Sequence, residues 1–556
     1  MKIQVSELIV RYLEKLGIEY IFGMPGAHIL PVYDSLYNSG VKTVLAKHEQ
    51  GAAFMACGYA RASGEISACI TTAGPGATNL VTGIASANVD KQPILVITGD
   101  TSTHIFGKGG LQESSGEGGS IDQGVLFQGI TRYHRVVERT DYLANVLNQA
   151  SKVLFSDVPG PVLLSFPFNV QKERVDEDVL DQVMTERPAL AADGNIESIN
   201  ALTNLILGAR NPVIVAGYGC IKSGAQALVS ELSNALNIPV TSSMKGKGVI
   251  SEQSTLSLGS LGVTSTGYAY RYIVDNADVL IFLGAGFNER TSYLWDRKLL
   301  ENKKIAQVDS NPAQIEKVFR ADVAITADIK SALGGVLKTL DTRGIDRASV
   351  RKQIAANDPV EKRDAGSSEV FQSGFALVER FFKHLEKMFE KDLVLFDDNM
   401  IFAQNFFNVS VDNRFYPNSG ISALGHAIPA AIGARFATNK PTIAIIGDGG
   451  FQMCCMELMT AVNYGLPVTV VMFNNSTMGL IRKNQYQGYG QRFIDCDFTN
   501  PDYALLAKSF GIAFQHVEAE TDIDRVFAET DFADGINLIE IMLDKELFPN
   551  YSSRRS

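Results

Sequence analysis

Two polar residues follow two apolar runs in the last third of the sequence. The run Thr442–Ile446 leads into Asp448, and the run Val468–Phe473 leads into Asn475, 27 positions after Asp448. Because parallel strands of α/β sheets bind ligands at their carboxyl ends, we expect both side chains at one sheet edge. Carboxylate and amide oxygens suit Mg²⁺, which takes few protein ligands besides phosphate oxygens.

The residues around these two side chains extend the predicted site. Asp448 lies within a glycine-rich turn that opens a helix, and the N–H groups of such a turn face phosphate. We assign Gly447, Asp448, Gly449 and Gly450 to phosphate binding, and Asp448, Asn475 and Thr477 to the metal.

Strands must carry these turns, and apolar runs of strand length alternate with helix-length segments along almost the whole chain. Continuous apolar strands between helices are typical of parallel sheets covered on both faces. The pattern predicts an α/β fold with three doubly wound parallel-sheet domains. The predicted strands are Ile66–Thr71, Pro93–Thr98, Pro161–Ser165, Pro212–Ala216, Val279–Leu283, Lys304–Val308, Leu393–Phe396, Thr442–Ile446, Val468–Phe473 and Asn537–Ile541.

Two charged, less apolar stretches interrupt this alternation, at 171–195 and 342–368. We interpret both as connections between domains. The expected domains are 1–170, 190–342 and 365–545, followed by a C-terminal tail at 546–556.

Composition excludes several classes of protein. With 46% hydrophobic and 20% charged residues, the chain is not generally disordered. A net charge of −11 without a basic block argues against binding nucleic acid or an anionic membrane. No apolar stretch reaches the roughly 18 residues of a membrane span, and Glu7 and Arg11 interrupt any signal-peptide core. Six cysteines without zinc-type spacing indicate free thiols, so we expect a cytoplasmic protein.

Three further segments give the chain a recognisable resemblance. These are HEQGAAFMACGYARASG from His48, GPGATNLVTGIA from Gly74 and SGISALGHAIPAAIGA from Ser419. Together with the Asp448–Asn475 motif, they resemble the thiamin-diphosphate enzymes, most closely the acetohydroxyacid (acetolactate) synthase branch. The resemblance covers the whole chain and implies a pyrimidine-binding, a central and a diphosphate-binding domain.

The resemblance also implies roles for particular residues. Glu49 matches the family glutamate that hydrogen-bonds the aminopyrimidine and leads to removal of the thiazolium C2 proton. Gly26, Pro75 and Asn79 match positions that line the pyrimidine ring, and Leu424 matches the apolar residue that supports the bent cofactor. Without the resemblance, Glu49 would be an ordinary helix-start glutamate.

Three positions depart from plain acetolactate synthases. His28 lies in a Gly-Ala-His run that resembles benzaldehyde lyase and cyclohexane-1,2-dione hydrolase, and it is predicted to relay protons. Gln123 aligns with a family glutamine near the reaction centre, and Gln112 resembles a lyase glutamine, with a surface loop as the alternative for both. Asn484 stands where synthases that make acetohydroxybutyrate have tryptophan, so we expect it to alter acceptor choice.

The central domain leaves two interpretations open. Several segments, including Gly284–Thr291 and Val308–Pro312, align with the flavin-binding segments of the synthases, and Arg290 and Asp309 are retained. An arginine expected near Gly286 and a histidine expected near Thr264 are absent. The domain therefore either binds FAD or serves as a scaffold, as in relatives without FAD.

The leading hypothesis is a carboligase dependent on thiamin diphosphate and Mg²⁺. It would decarboxylate a 2-oxo acid such as pyruvate and transfer the acyl unit to a carbonyl acceptor. The alternative in the same cofactor class is a lyase or hydrolase that cleaves a C–C bond of a 2-hydroxyketone or 1,2-dione. A non-catalytic regulatory protein is disfavoured by Glu49, Asp448 and Asn475, and a nicotinamide dehydrogenase by the missing glycine fingerprint. The family's site forms between subunits, which implies a homodimer or homotetramer.

Overall fold

Residues 1–186, 195–354, 370–371 and 373–551 are described by a computed structural model. They form three all-parallel sheets of six strands each and one short antiparallel pair. The predicted class, an α/β fold with three doubly wound parallel-sheet domains, is confirmed. Parts of the two predicted connections and of the predicted tail, at 187–194, 355–369 and 552–556, lie outside the described residues, as does residue 372.

The first domain has a sheet of strand order β3-β2-β4-β5-β7-β6. Its elements are β1 (Lys2–Gln4), α1 (Val5–Lys15), β2 (Tyr20–Gly23), α2 (Leu30–Leu36), β3 (Lys42–Leu45), α3 (Glu49–Ser63), β4 (Ser67–Thr71), α4 (Pro75–Asn79), α5 (Val81–Val89), β5 (Ile94–Asp100), α6 (Gln123–Gln128), β6 (Tyr133–Val136), α7 (Leu143–Leu154), β7 (Val162–Pro167), α8 (Phe168–Gln171) and β8 (Arg174–Asp176). All residues of β4, β5 and β7 are buried, since helices cover both sheet faces. Strand β8 pairs antiparallel with β1, so the chain after α8 returns to this domain.

The central domain has the strand order β11-β10-β9-β12-β13-β14. It contains α9 (Ile196–Leu207), β9 (Pro212–Ala216), α10 (Tyr218–Lys222), α11 (Gln226–Leu236), β10 (Val240–Ser242), β11 (Ser257–Ser260), α12 (Tyr268–Asn276), β12 (Val279–Leu283), β13 (Lys304–Asp309), β14 (Val323–Thr326), α13 (Ile329–Thr342) and α14 (Arg347–Gln353). The two central strands β9 and β12 are buried along their whole length.

The third domain repeats the arrangement with the order β16-β15-β17-β18-β20-β19. Its elements are α15 (Ala376–Met388), β15 (Val394–Asp397), α16 (Ile401–Phe406), β16 (Arg414–Pro417), α17 (Ala427–Arg435), β17 (Thr442–Gly447), α18 (Asp448–Cys454), α19 (Leu458–Tyr464), β18 (Val468–Asn474), α20 (Gly479–Gly488), α21 (Tyr503–Phe510), β19 (Ala513–Val517), α22 (Glu520–Glu529) and β20 (Ile536–Met542). Short 3₁₀ turns occur at Thr103–Ile105, Glu177–Gln182, Met244–Gly246, Arg297–Leu299, Pro312–Gln314, Ser373–Phe375 and Cys455–Glu457. Strands β17 and β18 are neighbours, with Gly447 paired to Phe473, so the turns after them lie at one edge.

The first and third domains contact each other through α3 and α17, where the two backbones touch. A Cβ atom on Gly58 would lie 1.9 Å from the Ala430 carbonyl oxygen, and one on Gly433 would lie 1.9 Å from that of Met55. Any larger residue at either glycine would force the helices apart. Among the described residues, no helix has both the length and the apolar composition that crossing a bilayer requires.

One buried histidine lies beside this helix pair. The ring of His426 is fully buried and packs edge-on against Phe54, with 5.0 Å between ring centroids. Neither ring nitrogen has a hydrogen-bond partner among the described residues. Burial, with a smaller contribution from the Arg61 charge, lowers the pKa of His426 well below its ordinary value. The ring is therefore neutral in the folded protein.

We expect His426→Phe to make stability less sensitive to acid. The folded ring resists protonation, whereas the unfolded ring takes up a proton as the pH falls below its ordinary pKa of 6.5. Acid therefore favours unfolding by about 1.4 kcal/mol per pH unit below that value. Urea unfolding at pH 7.5 and 5.5 should show a smaller loss for His426→Phe than for the unmutated protein. The exposed His104, changed to Gln, is the control, and an unchanged pH dependence in His426→Phe would contradict the assignment.

Candidate active site

Asp448 is the first residue of α18 and lies at the carboxyl edge of the third sheet. Its Oδ1 accepts the N–H of Gly449 (3.0 Å), and its Oδ2 accepts the N–H of Ser476 (2.7 Å), two residues after β18 ends. Burial raises the pKa of Asp448, partly offset by these hydrogen bonds. A carboxylate that is costly to charge in this way is stabilised by a cation placed beside it.

The glycines after Asp448 pack tightly against neighbouring side chains. A Cβ on Gly449 would come within 2.7 Å of the Met478 sulfur, and one on Gly450 would come within 2.7 Å of Asp398 Oδ2. Both positions of this turn, which begins at Gly447, therefore require glycine, and the turn opens α18, whose first N–H groups are of the kind that bind phosphate.

The loop after β18 brings Asn475 and Thr477 close to Asp448. Ser476 between them adopts a positive φ of 54°, which turns the chain sharply. Asn475 Oδ1 accepts the Thr477 N–H at 3.4 Å, and the Thr477 hydroxyl donates to the Cys496 carbonyl at 2.9 Å. The structure thus brings the three predicted metal residues together in one loop region.

Asn500 also contacts this region, although the sequence analysis missed it. Its Nδ2 donates to Asp448 Oδ2 (2.9 Å) and to Asn474 Oδ1 (2.7 Å). Its Oδ1 accepts from Gln452 (2.6 Å) and from the Tyr503 hydroxyl (2.8 Å), which fixes the amide orientation. Asn500 therefore orients the Asp448 carboxylate. It lies in an irregular loop, where no strand or helix periodicity marks it.

Glu49 begins α3, and Asn79 and the start of α4 lie beside its carboxylate. Glu49 Oε2 accepts from Asn79 Nδ2 at 2.9 Å. Helix α4 begins at Pro75, and a Cβ on the next residue, Gly76, would lie 3.6 Å from Glu49 Oε1. Gly26 lies against Thr72, since its Cβ would be 2.5 Å from that of Thr72. The structure thus places Asn79 and Gly76 beside the half-buried Glu49 carboxylate and Gly26 beside Thr72.

The backbone before Glu49 is held by the third domain. Glu457 is buried, and its carboxylate accepts the N–H groups of Lys47 (3.1 Å) and His48 (3.0 Å) and the Thr460 hydroxyl (2.9 Å). Burial raises the pKa of Glu457, and these bonds partly offset the shift. The start of α3 is therefore fixed from two domains.

His28 and Gln112 lie beside Thr72 at the end of the same sheet. The His28 ring Nε2 is 2.8 Å from the Leu111 carbonyl oxygen. The Thr72 hydroxyl donates to Gln112 Oε1 at 3.3 Å and accepts the His28 backbone N–H at 3.3 Å. The loop that carries Gln112 thus joins the region of Gly26 and Pro75.

The other predicted residues lie further from these contacts. Gln123 is fully buried at the start of α6, where its Nε2 donates to Thr98 (2.6 Å) and its Oε1 has no partner among the described residues. Asn484 is exposed on α20. Leu424 is half-buried in the turn before α17, next to Gly425, whose Cβ would approach Met453 and Cys454 of α18.

Apart from these residues, a cleft of about 560 Å³ lies on the central domain and is lined by residues of all three domains. Gly219 and Gly284 line it and lie against each other, since a Cβ on Gly219 would be 2.6 Å from the Gly284 Cα. Arg290 and Asp309 line it, as does Lys245, which forms an ion pair with Asp90. Burial lowers the pKa of Lys245 to about 7.

Comparison with known proteins agrees with this architecture. Three family models match the chain: the thiamine pyrophosphate enzyme N-terminal TPP-binding domain at residues 3–118, the central domain at 199–336 and the C-terminal TPP-binding domain at 398–541. The chain thus belongs to the thiamine pyrophosphate enzymes, in their acetolactate synthase branch. The branch rests on relatives that are similar over nearly the whole chain.

Three of these relatives illustrate the similarity. A probable acetolactate synthase large subunit of Methanococcus aeolicus is 32% identical over 97% of this chain and 92% of its own length. The corresponding protein of Methanocaldococcus jannaschii is 33% identical over 97% of this chain and 92% of its own length. The acetolactate synthase isozyme 2 large subunit of Escherichia coli is 30% identical over 97% of this chain and 95% of its own length. The predicted resemblance to the acetolactate synthase branch is confirmed, as is the prediction that the protein is a thiamin-diphosphate-dependent enzyme.

We expect Asn500→Ala to weaken cofactor binding, because Asp448 loses the amide that orients it. Loss of such an outer partner typically costs about 10- to 100-fold in metal affinity. Calorimetric titration with thiamin diphosphate in the presence of Mg²⁺ measures the change in Kd. The exposed Asn439, changed to Ala, is the control, and equal Kd values in Asn500→Ala and the unmutated protein would show that Asn500 does not orient Asp448.

Proposed function

We propose that this protein is a carboligase that uses thiamin diphosphate and Mg²⁺. It decarboxylates a 2-oxo acid, with pyruvate as the first candidate, and joins the acyl unit to a second carbonyl compound. The observation that carries the proposal is that one chain contains both halves of a cofactor site. Glu49 and Asn79 form the half in the first domain, and Asp448 and Asn475 form the half in the third.

The bound cofactor would supply a thiazolium carbon that, once deprotonated, adds to a carbonyl group. Glu49 is the residue proposed to exchange a proton with the aminopyrimidine, since its carboxylate is held in place by Asn79. Gly26, Pro75 and Leu424 are proposed to line the cofactor, because they match the family positions that do so.

Asp448, Asn475 and Thr477 are proposed to hold Mg²⁺, and the Gly447–Gly450 turn to hold the diphosphate. Within the described residues, no group of three or more His, Cys, Asp or Glu side chains is placed to hold a metal ion. A site with one carboxylate, neutral oxygens and phosphate oxygens suits Mg²⁺ better than metals that need several charged or sulfur ligands.

His28 and Asn484 are proposed to act on the acceptor side, and Gln123 to support the reaction centre from its buried position. His28 also supports a second function in the same cofactor class, a lyase or hydrolase of a 2-hydroxyketone or 1,2-dione. Its ring lies 2.8 Å from a backbone carbonyl, which orients it for proton transfer. The same residues serve either direction of C–C bond chemistry.

The central cleft is proposed to hold a nucleotide, with FAD as the first candidate. Support comes from the close glycine backbones, from Asp309 at the end of β13 and from cationic residues around the rim, including Arg290 and Lys317. The scaffold alternative predicts a colourless protein that functions without FAD. The six cysteines are unpaired, which supports a reducing compartment, and we propose the cytoplasm.

We expect the purified protein with thiamin diphosphate and Mg²⁺ to convert pyruvate to carboligation products. Products from a panel of 2-oxo acids and carbonyl acceptors, with and without FAD, are identified by mass spectrometry. Glu49→Gln should bind the cofactor but lose at least about 100-fold in rate, because an amide cannot exchange the proton. Cleavage of 2-hydroxyketones or diones without any ligation would favour the lyase or hydrolase function, and activity of Glu49→Gln equal to the unmutated protein would remove Glu49 from the mechanism.

The protein is further proposed to be a homodimer or homotetramer whose sites form between subunits. Among the described residues, the hydrogen bonds of Glu49 and those of Asp448 have no residue in common. Met453 and Met456, in and after α18, are 59% and 55% exposed, and Leu45 before Glu49 is 44% exposed. Apolar residues near both half-sites are typical of a surface covered by another subunit.

We expect Glu49→Gln and Asp448→Ala to complement each other. Each variant alone lacks one half of every site, but a mixed dimer has one intact site formed from the unmutated halves. After subunit exchange, mixed samples should recover up to about a quarter of the unmutated activity, since half of the dimers are mixed and each has one working site. Two samples of the same variant, mixed likewise, are the control. A fully active monomer by light scattering would contradict the shared site.

A further inference from the structure

The loop between β5 and α6 is organised by one buried carboxylate. Glu113 is 7% exposed, and its two oxygens accept the N–H groups of Gly107 (2.5 Å), Gly109 (3.1 Å) and Gly110 (2.9 Å). The Ser115 hydroxyl also donates to it at 2.7 Å. The Ser115 and backbone hydrogen bonds lower the pKa of Glu113, so it is charged at neutral pH.

The arm of this loop, Gly107–Leu111, has little regular structure of its own. The 3₁₀ turn Thr103–Ile105 precedes it and a bridge between Ser115 and Asp122 follows it, while Gly107 and Gly109 have φ values of 76° and 77°. The Leu111 side chain at its tip is 73% exposed, so burial does not fix the position of the Leu111 backbone. The Glu113 carboxylate therefore holds three of the five backbone N–H groups of the arm Gly107–Leu111.

The far end of the loop is anchored separately. Asp100 Oδ1 accepts the N–H of Ser114 at 3.1 Å, and the Ser114 hydroxyl accepts the N–H of Gly74 at 3.0 Å. These bonds fix the residues after Glu113 against the turn that carries Pro75. The Thr72 hydroxyl also contacts Gln112, the residue after the arm, whereas the N–H groups of the arm's three glycines are bound by Glu113.

The ordered arm places one carbonyl on His28. The Leu111 oxygen lies 2.8 Å from His28 Nε2, and a carbonyl oxygen can only accept a hydrogen bond. The neutral imidazole must therefore carry its proton on Nε2 and keep its lone pair on Nδ1. Without this carbonyl, the ring would be free to adopt either tautomer.

We propose that Glu113 is a positioning residue that sets the tautomer and orientation of His28 through the Leu111 carbonyl. The inference deepens the proposed function and rests on it, because His28 is proposed to act on the acceptor side. Glu113 itself touches only the loop. It affects the reaction only through the His28 ring, which the Leu111 carbonyl orients.

Glu113→Gln is the variant that tests this. Glutamine has nearly the same shape, but its –NH₂ group cannot accept a hydrogen bond. That group would face an N–H or hydroxyl donor of the loop, so the hydrogen bonds to one of the two carboxylate oxygens are lost. Glu117→Gln is the matched control, because Glu117 lies on the same loop and is exposed. Ser115→Ala is a milder second variant that removes one of the four donors and leaves the carboxylate.

The decisive measurement is the ring ¹⁵N spectrum of histidine-labelled protein, which has only seven histidines. His28→Asn identifies the His28 signals. We expect the unmutated protein and Glu117→Gln to show a protonated Nε2, and Glu113→Gln to show shifts towards mixed tautomers. Ser115→Ala should shift the signals in the same direction but less. Unchanged His28 signals in Glu113→Gln would overturn the inference, and if that variant does not fold, unchanged signals in Ser115→Ala would overturn it.

Kinetics separate positioning from a purely structural role. Glu113→Gln should lose about tenfold or more in kcat while the Kd for thiamin diphosphate stays unchanged, because general acid–base catalysis depends on ring orientation. Equal loss of cofactor binding and kcat would show that the loop is merely structural and would contradict the proposal. If the unmutated protein has no carboligase activity, the proposed function fails, but the ring spectra still decide whether Glu113 sets the His28 tautomer.

Discussion

The backbone contact between α3 and α17 is the constraint on which the rest of the structure depends. It brings the helix that begins at Glu49 against the helix that precedes the Asp448 turn, and it tolerates no side chain at Gly58 or Gly433. Helices that touch at their backbones have little freedom to slide or rotate, because small residues leave no side chains to rearrange. The first and third domains of one chain are therefore fixed relative to each other at this contact.

Much of the fold could be predicted, because central parallel strands are apolar on both faces. The ten predicted strands correspond to β4, β5, β7, β9, β12, β13, β15, β17, β18 and β20, with ends shifted by at most two residues. Strands such as β6 and β19 were not predicted. They lie at sheet edges, where one face is exposed and the sequence, YHRV or AFQHV, lacks an apolar run.

The candidate site could be predicted only where a turn follows a strand. Asp448 and Asn475 stand at strand ends, so the strand pattern locates them. Asn500 and Glu113 lie in irregular loops. Asn500 contacts side chains distant in the sequence, such as Asp448 and Asn474, whereas Glu113 accepts backbone N–H groups of its own loop. No spacing rule connects either residue to its partners. Gln123 was found by resemblance, but its burial against Thr98 depends on how α6 packs, which the residues around it do not indicate.

Several buried carboxylates of this chain share one physical role, which is to accept hydrogen bonds from backbone N–H groups. These bonds explain how the protein can bury the charged groups. Asp398 accepts the N–H groups of Gly425, His426 and Ala427 at the start of α17. Glu457 accepts those of the two residues before α3, and Glu113 accepts those of the glycine arm. Each replaces lost hydration with backbone donors, because no cation neutralises it within hydrogen-bond distance among the described residues. Asp448 differs in its place in the fold, since it lies at the carboxyl edge of a parallel sheet, where α/β proteins bind ligands. Its hydrogen bonds only partly offset the cost of burying the charge, so the chemistry that fixes the helices elsewhere makes this turn a favourable place for a cation.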